Sequence, residues 1–142
     1  MTEYSLWRFS RAFHRALNER QTDHLEAILD DAIDWAIYGP IDMFAFLGPR
    51  QGKRAVIDVV REISDIVSLH RFERESIMLS ENSAASLMRY SLTPPSGQPI
   101  SVRIAIFATF NAGRLTSLRA VIDTFDLVEQ ALGRQIHLPK IA

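Results

Sequence analysis

Residues 100–123 read ISVRIAIFATFNAGRLTSLRAVID, and the fold is decided in this stretch. Ile100, Val102, Ile104 and Ile106 fall on one face, while Ser101, Arg103, Ala105 and Phe107 fall on the other. That period of two belongs to a β-strand, whose successive side chains point to opposite sides of a sheet. Asn111-Ala112-Gly113 then supplies a turn, because asparagine and glycine accept the backbone angles that reverse a chain. A second run, Leu115 to Asp123, follows at once, with Leu115, Ser117, Arg119, Val121 and Asp123 expected on one face. Two long strands with so short a link pair antiparallel.

The same period extends upstream. His70 to Leu79 and Ala84 to Thr93 also read as strands, joined through Ser80-Glu81-Asn82-Ser83 and followed by the turn Pro94-Pro95-Ser96-Gly97. Ile100 to Phe110 and Leu115 to Asp123 complete a four-strand antiparallel meander. Before residue 69 the period is helical. Leu6, Phe9, Phe13, Ala16 and Leu17 make one apolar face of a helix over Ser5 to Arg20. Asp23 and Glu26 have the spacing of a capping box, which predicts a short second helix running to Leu29. Ala32 to Tyr38 reads as a strand ended by Gly39-Pro40, and Ile41 to Gln51, broken by Gly48 and Pro49, as a packed loop. Val56, Val59, Val60, Ile63 and Ile66 mark a third helix, and Leu127 to Leu132 a last helical turn stopped by Gly133. Helices first and strands last predict an α+β fold with helices on one face of a curved sheet. No repeat or low-complexity linker interrupts it, so residues 1–142 are expected to form a single domain.

Composition narrows the function classes. Apolar residues make up 47% of the 142, and 16 basic residues balance 17 acidic ones for a net charge of −1. That balance points to neither nucleic acid nor an anionic membrane as a partner. No run approaches the roughly 18 apolar residues of a membrane span, and the first residues lack a signal-peptide pattern. A cytoplasmic location is the default expectation. With no cysteine in the chain, disulfides and thiolate–metal sites are excluded. His24, His70 and His137 show no metal-ligand spacing, so no metal is expected. Gly48 to Arg54 has the wrong glycine spacing for a phosphate loop and lacks a Ser or Thr after Lys53. Arg8, Arg11 and Arg15, like Arg71 and Arg74, read as solvated faces.

Three pieces carry a resemblance to a known family. Asp34-Trp35 in a strand is followed by Gly39-Pro40 and by Gly48 to Ala55. Phe110 to Leu115 forms the hairpin before the last strand. Val121-Ile122-Asp123 precedes an Asp/Leu-bearing helix and Gly133. In this order they resemble the nuclear-transport-factor-2-like superfamily and its SnoaL-like and ketosteroid-isomerase-like members. The resemblance implies a cone-shaped α+β barrel wrapped around the first helix, a pocket between sheet and helices, and homodimers through the sheet. It covers isomerases, epoxide hydrolases, cyclases, dehydratases and plain binding modules, so function must come from the site. None of these chemistries needs a cofactor, and none is expected.

The resemblance also suggests site residues. An aspartate at the position of Asp123 lines the pocket of SnoaL-like cyclases as acid or base; the alternative is that Asp123 caps the following helix. Arg89 matches an arginine of the epoxide hydrolases, but Ser91 stands where their catalytic aspartate would be. Epoxide hydrolysis is therefore not expected, although Arg89, Ser91 and Arg103 remain candidates to hold a ligand. Gly39 occupies the position of the ketosteroid isomerase base, which argues against that chemistry too; Asp42, two residues from Pro40, sits in the loop and is expected to be solvated. His14 with Tyr38 could imitate the His/Tyr relay of the dehydratases. Trp35, Tyr38, Met43, Phe44, Phe46 and Phe107 form an aromatic-rich set suited to an apolar small-molecule ligand. Internal patterning alone would put the Ile100–Ile106 face in the core. The epoxide-hydrolase branch implies the opposite, with the mixed face lining the pocket and the Ile/Val face at a dimer interface, and that is the expectation carried forward. The leading function is a small-molecule binding domain, with isomerase, cyclase or dehydratase chemistry through Asp123. The competing one is a non-enzymatic dimeric ligand-binding or protein-interaction module.

Overall fold

A computed structural model describes residues 1–141. In chain order it contains α1 (Thr2–Glu19), α2 (Asp23–Ile28), β1 (Leu29–Tyr38), β2 (Gly48–Gln51), α3 (Lys53–Ile66), β3 (Ser68–Leu79), β4 (Ser83–Thr93), β5 (Ile100–Asn111), β6 (Arg114–Ile122) and α4 (Thr124–Leu132). The strands form one sheet in the order β2-β1-β6-β5-β4-β3. Neighbours are antiparallel except β1 and β6, which run parallel. No described helix is long and apolar enough to cross a membrane.

The meander, α1 and α3 stand where hydrophobic periodicity puts them, and the two short helices α2 and α4 are also present. Burial along β5 alternates, with Ile100, Val102, Ile104 and Ile106 inside and Arg103 and Phe107 outside. α1 buries Leu6, Phe9, Ala12, Ala16 and Leu17, and α3 buries Val56, Ile57, Val59, Val60 and Ile63. Both pack on the inner face of the sheet, α1 over β3, β4 and β5 and α3 over β1 and β2. At the junction of α1 and β3, Asn18 Oδ1 accepts a hydrogen bond from the Leu69 amide at 2.8 Å while its Nδ2 donates to the Leu69 carbonyl.

The cone-shaped α+β fold is as expected, its six-stranded sheet open at the edge strands β2 and β3. Three expectations need correction. Gly48–Gln51 is a strand and not loop, pairing from Asp34↔Gln51 to Ile37↔Gly48; Pro49 is accommodated because an edge strand has one unpaired side. The second helix has Thr22 as its N-cap with no side-chain capping bond, which places Asp23 inside the helix and leaves the capping box unformed. On β6, the register shifts from Phe110↔Leu115 to Thr109↔Ser117, so Thr116 is an extra residue. This bulge turns both Leu115 and Leu118 inward, although the unbroken alternation would have placed Leu115 with Ser117.

The hairpin between β5 and β6 has Ala112 and Gly113 as its two central residues, with φ of 51° and 79°. Two positive φ angles match the right-handed twist of the flanking strands, and Gly113 adopts its angle without steric cost.

Candidate functional site

The inner face of the sheet, α1, α3 and α4 enclose a cavity of about 390 Å³. β1 contributes Trp35 and Ile37, and β5 its whole Ile100–Ile106 set. Leu118 and Ala120 of β6, Tyr90 of β4, and Phe9 and Phe13 of α1 complete the walls. Met43, Phe44 and Phe46 from the β1–β2 loop, Pro94 and Pro95 after β4, and Leu127 and Ala131 of α4 surround the rest. Phe9 and Phe13 pack on the Trp35 indole with ring centres 6.4 Å and 6.3 Å away, the first edge to face.

Polar side chains in this lining are few: the Trp35 indole, the Tyr90 hydroxyl and the Ser96 hydroxyl. Among the described residues, no carboxylate, imidazole, ammonium or guanidinium belongs to it. Burial pushes the Tyr90 phenol well above its ordinary range, against a smaller opposing influence of Arg74, so Tyr90 is a neutral hydroxyl. The Trp35 Nε1 is buried and has no hydrogen-bond partner among the described residues.

The structure divides the expected site residues. Trp35, Met43 and Phe46 line the cavity, as does Phe44. The expectation that the mixed face lines it is overturned. The Ile/Val face of β5 turns inward because the helices cover that side, and Arg103 and Phe107 face outward with Arg89, Ser91 and Tyr38. Arg89 Nη1 donates to Ser101 Oγ at 3.1 Å, and Arg103 Nε donates to Glu75 Oε1 at 3.2 Å. His14 opens instead into a groove between α1, α2 and β3, beside Arg11, Arg15 and Arg74, with its Nε2 2.9 Å from Asn18 Nδ2. It is not brought together with Tyr38. Asp123 is exposed and is the N-cap of α4, its Oδ1 accepting from the Asp126 amide at 3.3 Å. Ile122 and Leu127 on either side of it line the cavity, but Asp123 does not. Asp42 is exposed in the loop. No cluster of metal-ligating side chains occurs among the described residues.

A family model described as the SnoaL-like domain matches residues 10–118. The chain belongs to the SnoaL-like family. Among solved structures, a "Putative Isomerase" from Rhodopseudomonas palustris is 67% identical, covering 94% of this chain and 100% of its own, with a TM-score of 0.91. An epoxide hydrolase of M. tuberculosis, described as LEH-like, shares the fold at 18% identity and a TM-score of 0.71, covering 92% of this chain and 91% of its own. An NTF2-like protein of unknown function from Burkholderia pseudomallei does so at 16% and 0.74, covering 89% and 96%. No curated protein matches.

Among the lining residues of this SnoaL-like domain that sequence reasoning missed, Tyr90 carries a polar group. Its signal was present in the pairing: Tyr90 lies opposite Val102, so a β5 whose valine faces inward takes Tyr90 with it. Choosing the wrong face of β5 hid it.

Two outcomes follow from this geometry. Replacing Asp123 by Ala should cost about 1 kcal/mol of stability through loss of the cap, whereas Asp123→Asn should be nearly neutral. Urea unfolding of the two variants checks this, and equal losses would mean that capping is not what Asp123 contributes. For Tyr90, the unfolded chain releases the phenolic proton near pH 10 while the folded chain holds it. The folded state then binds more protons than the unfolded, so stability is intact below about pH 10 and falls as pH rises further. Tyr90→Phe should flatten that alkaline decline in unfolding curves collected from neutral to alkaline pH.

Proposed function

We propose that this SnoaL-like domain binds a neutral, predominantly apolar small molecule in the cavity between sheet and helices. The observation that carries this reading is a lining without a charged side chain. An ionised ligand group would lose its water and find no counter-charge there, a cost of several kcal/mol at least. A neutral ring system loses little hydration and gains contact with Phe9, Phe13, Trp35 and the β5 isoleucines. Ligand binding without chemistry fits best, because no carboxylate or imidazole side chain lines the cavity among the described residues.

The name of the Rhodopseudomonas palustris relative supports a second reading, a cofactor-independent isomerase. In that reading Asp123, between cavity residues Ile122 and Leu127, is the carboxylate that would give up its capping bond to act as acid or base.

Nile red, a neutral apolar dye, tests the leading reading. It should bind with a blue shift, and Ala131→Trp, at an exposed α4 position on the cavity wall, should weaken it about tenfold, or 1.4 kcal/mol. Absence of a blue shift, or an unchanged affinity in the variant, would place binding elsewhere.

A homodimer through the outer sheet face completes the proposal. Tyr38, Val121 and Ala105 lie side by side across β1, β6 and β5, with Phe107 diagonal to Val121. Tyr38, Val121 and Phe107 are 51%, 45% and 52% exposed, an apolar cluster of the kind that marks a contact surface. The Arg119–Asp34 pair at 2.6 Å and the Glu75–Arg103 pair lie on the same face and suit a polar rim. Light scattering at micromolar concentration should report a dimer, and Phe107→Lys a monomer. A monomeric unaltered protein would end this part of the proposal.

A further inference from the structure

We propose that the ligand carries an uncharged hydrogen-bond acceptor, a ketone, aldehyde, ester or ether oxygen, and that Trp35 selects for it through its indole N–H. The inference rests on the cavity being the ligand site, and it adds a chemical requirement to what is otherwise a requirement for bulk and apolarity.

The starting point is an unmade hydrogen bond. Trp35 is 1% exposed, and its Nε1 has no partner among the described residues. A buried indole N–H normally finds an acceptor, and leaving one without is unfavourable, because the desolvated donor gets nothing in return. The Phe9 and Phe13 rings that pack on the indole offer no conventional acceptor. A phenylalanine at position 35 would fill the wall without that penalty. Indole nitrogen donates and cannot accept, so the missing group must be an acceptor.

The remaining chemistry follows from the walls. One N–H cannot compensate the desolvation of a carboxylate or phosphate, and no cationic side chain lines the cavity to help, so the acceptor is uncharged. The Tyr90 hydroxyl is a second polar group in the lining, able to donate or accept. It therefore tolerates either sense of hydrogen bond, whereas Trp35 fixes one. Nε1 is shielded from solvent, so bulk water does not compete for it. The same shielding separates Nε1 from the cavity, so the inference requires the indole to tilt when the ligand binds, and for that reason the test reads the N–H itself as well as affinity.

The experiment compares trans-decalone with trans-decalin, two ring systems of nearly the same shape that differ in one carbonyl oxygen. Affinities come from displacement of Nile red, each corrected for the probe's own partition between water and hydrocarbon. The indole N–H signals of Trp7 and Trp35 are followed in nitrogen-labelled protein, assigned through Trp35→Phe, with the exposed Trp7 as internal control. Both compounds should bind, the decalone about tenfold more tightly after correction, as one well-made hydrogen bond implies. The Trp35 indole proton should move downfield with the decalone and not with the decalin. In Trp35→Phe both affinities should fall with the lost ring area, and the corrected preference for the decalone over the decalin should vanish. Tyr90→Phe should leave the downfield shift in place. Equal corrected affinities with an unmoved Trp35 signal would overturn the inference and leave the apolar site standing. Failure of both compounds to displace the dye would overturn the site reading and this inference with it. If Trp35→Phe does not fold, the indole shift of the unaltered protein still decides.

Discussion

Strand β5 is paired along both edges, by β4 and β6, and its alternation between branched apolar and mixed side chains is the constraint on which the rest of the molecule depends. A slip of one residue would bring Arg103 under the helices and turn Ile100, Val102, Ile104 and Ile106 outward, leaving four branched side chains facing water. The register is therefore held by burial, and the strands on both sides inherit it. Met88 and Tyr90 turn inward because they lie opposite Ile104 and Val102, and Ala120 because it lies opposite Ile106.

Once that face is fixed, the helices must cover it, and they cover it without filling it. α1 brings Phe9, Phe13 and Leu17 to one side of the inner face, α3 brings Ile63 and Ile66 to the other, and α4 contributes Leu127 near the end of β5. α4 is held there by two hydrogen bonds between the Gln130 amide and the Ser101 backbone, at 2.8 Å and 2.7 Å. The space left between these supports is the cavity. Its apolar character follows from the same register that stabilises the fold, so the features that hold the sheet together and those that would hold a ligand are the same side chains. Charges are sent to the outer face and to the edge strand β3, where His70, Arg71, Glu73 and Arg74 also discourage pairing with another sheet.

Much of this is legible from residue order. The periods of two and of 3.6 locate each long element to within a few residues, because each runs far enough for the pattern to repeat. What fails is short or depends on tertiary context. β2 has four residues and contains a proline, so nothing local marks it as a strand until β1 lies beside it. The bulge at Thr116 breaks an alternation that the sequence alone shows as continuous. On β5, likeness to distant enzymes points to the wrong face, against the plain apolar contrast between Ile100–Ile106 and Ser101–Phe107. Tyr90 is lost with that choice, and Arg89, Ser91, Arg103 and Phe107 are expected in a cavity on whose far side they lie. At Asp123 both possible roles are visible in the sequence, and only the position of α4 shows the carboxylate capping a helix. Trp35 is recognisable as a large aromatic on an inner strand, but its unsatisfied N–H is a property of its surroundings.

The parallel pairing of β1 with β6 bears on how the chain assembles. β1 is made early, yet its inner neighbour begins only at Arg114, after α3 and three further strands. During synthesis Trp35 and Ile37 are thus joined to little more than the short edge strand β2, and the long loop between the two partners must close before their contacts contribute. The meander β3–β6 can form first from its own hairpins, which are local and quick. Docking of β1 against a finished β6 is then the late, cooperative step, and until it occurs one edge of each strand is open to pairing with another chain.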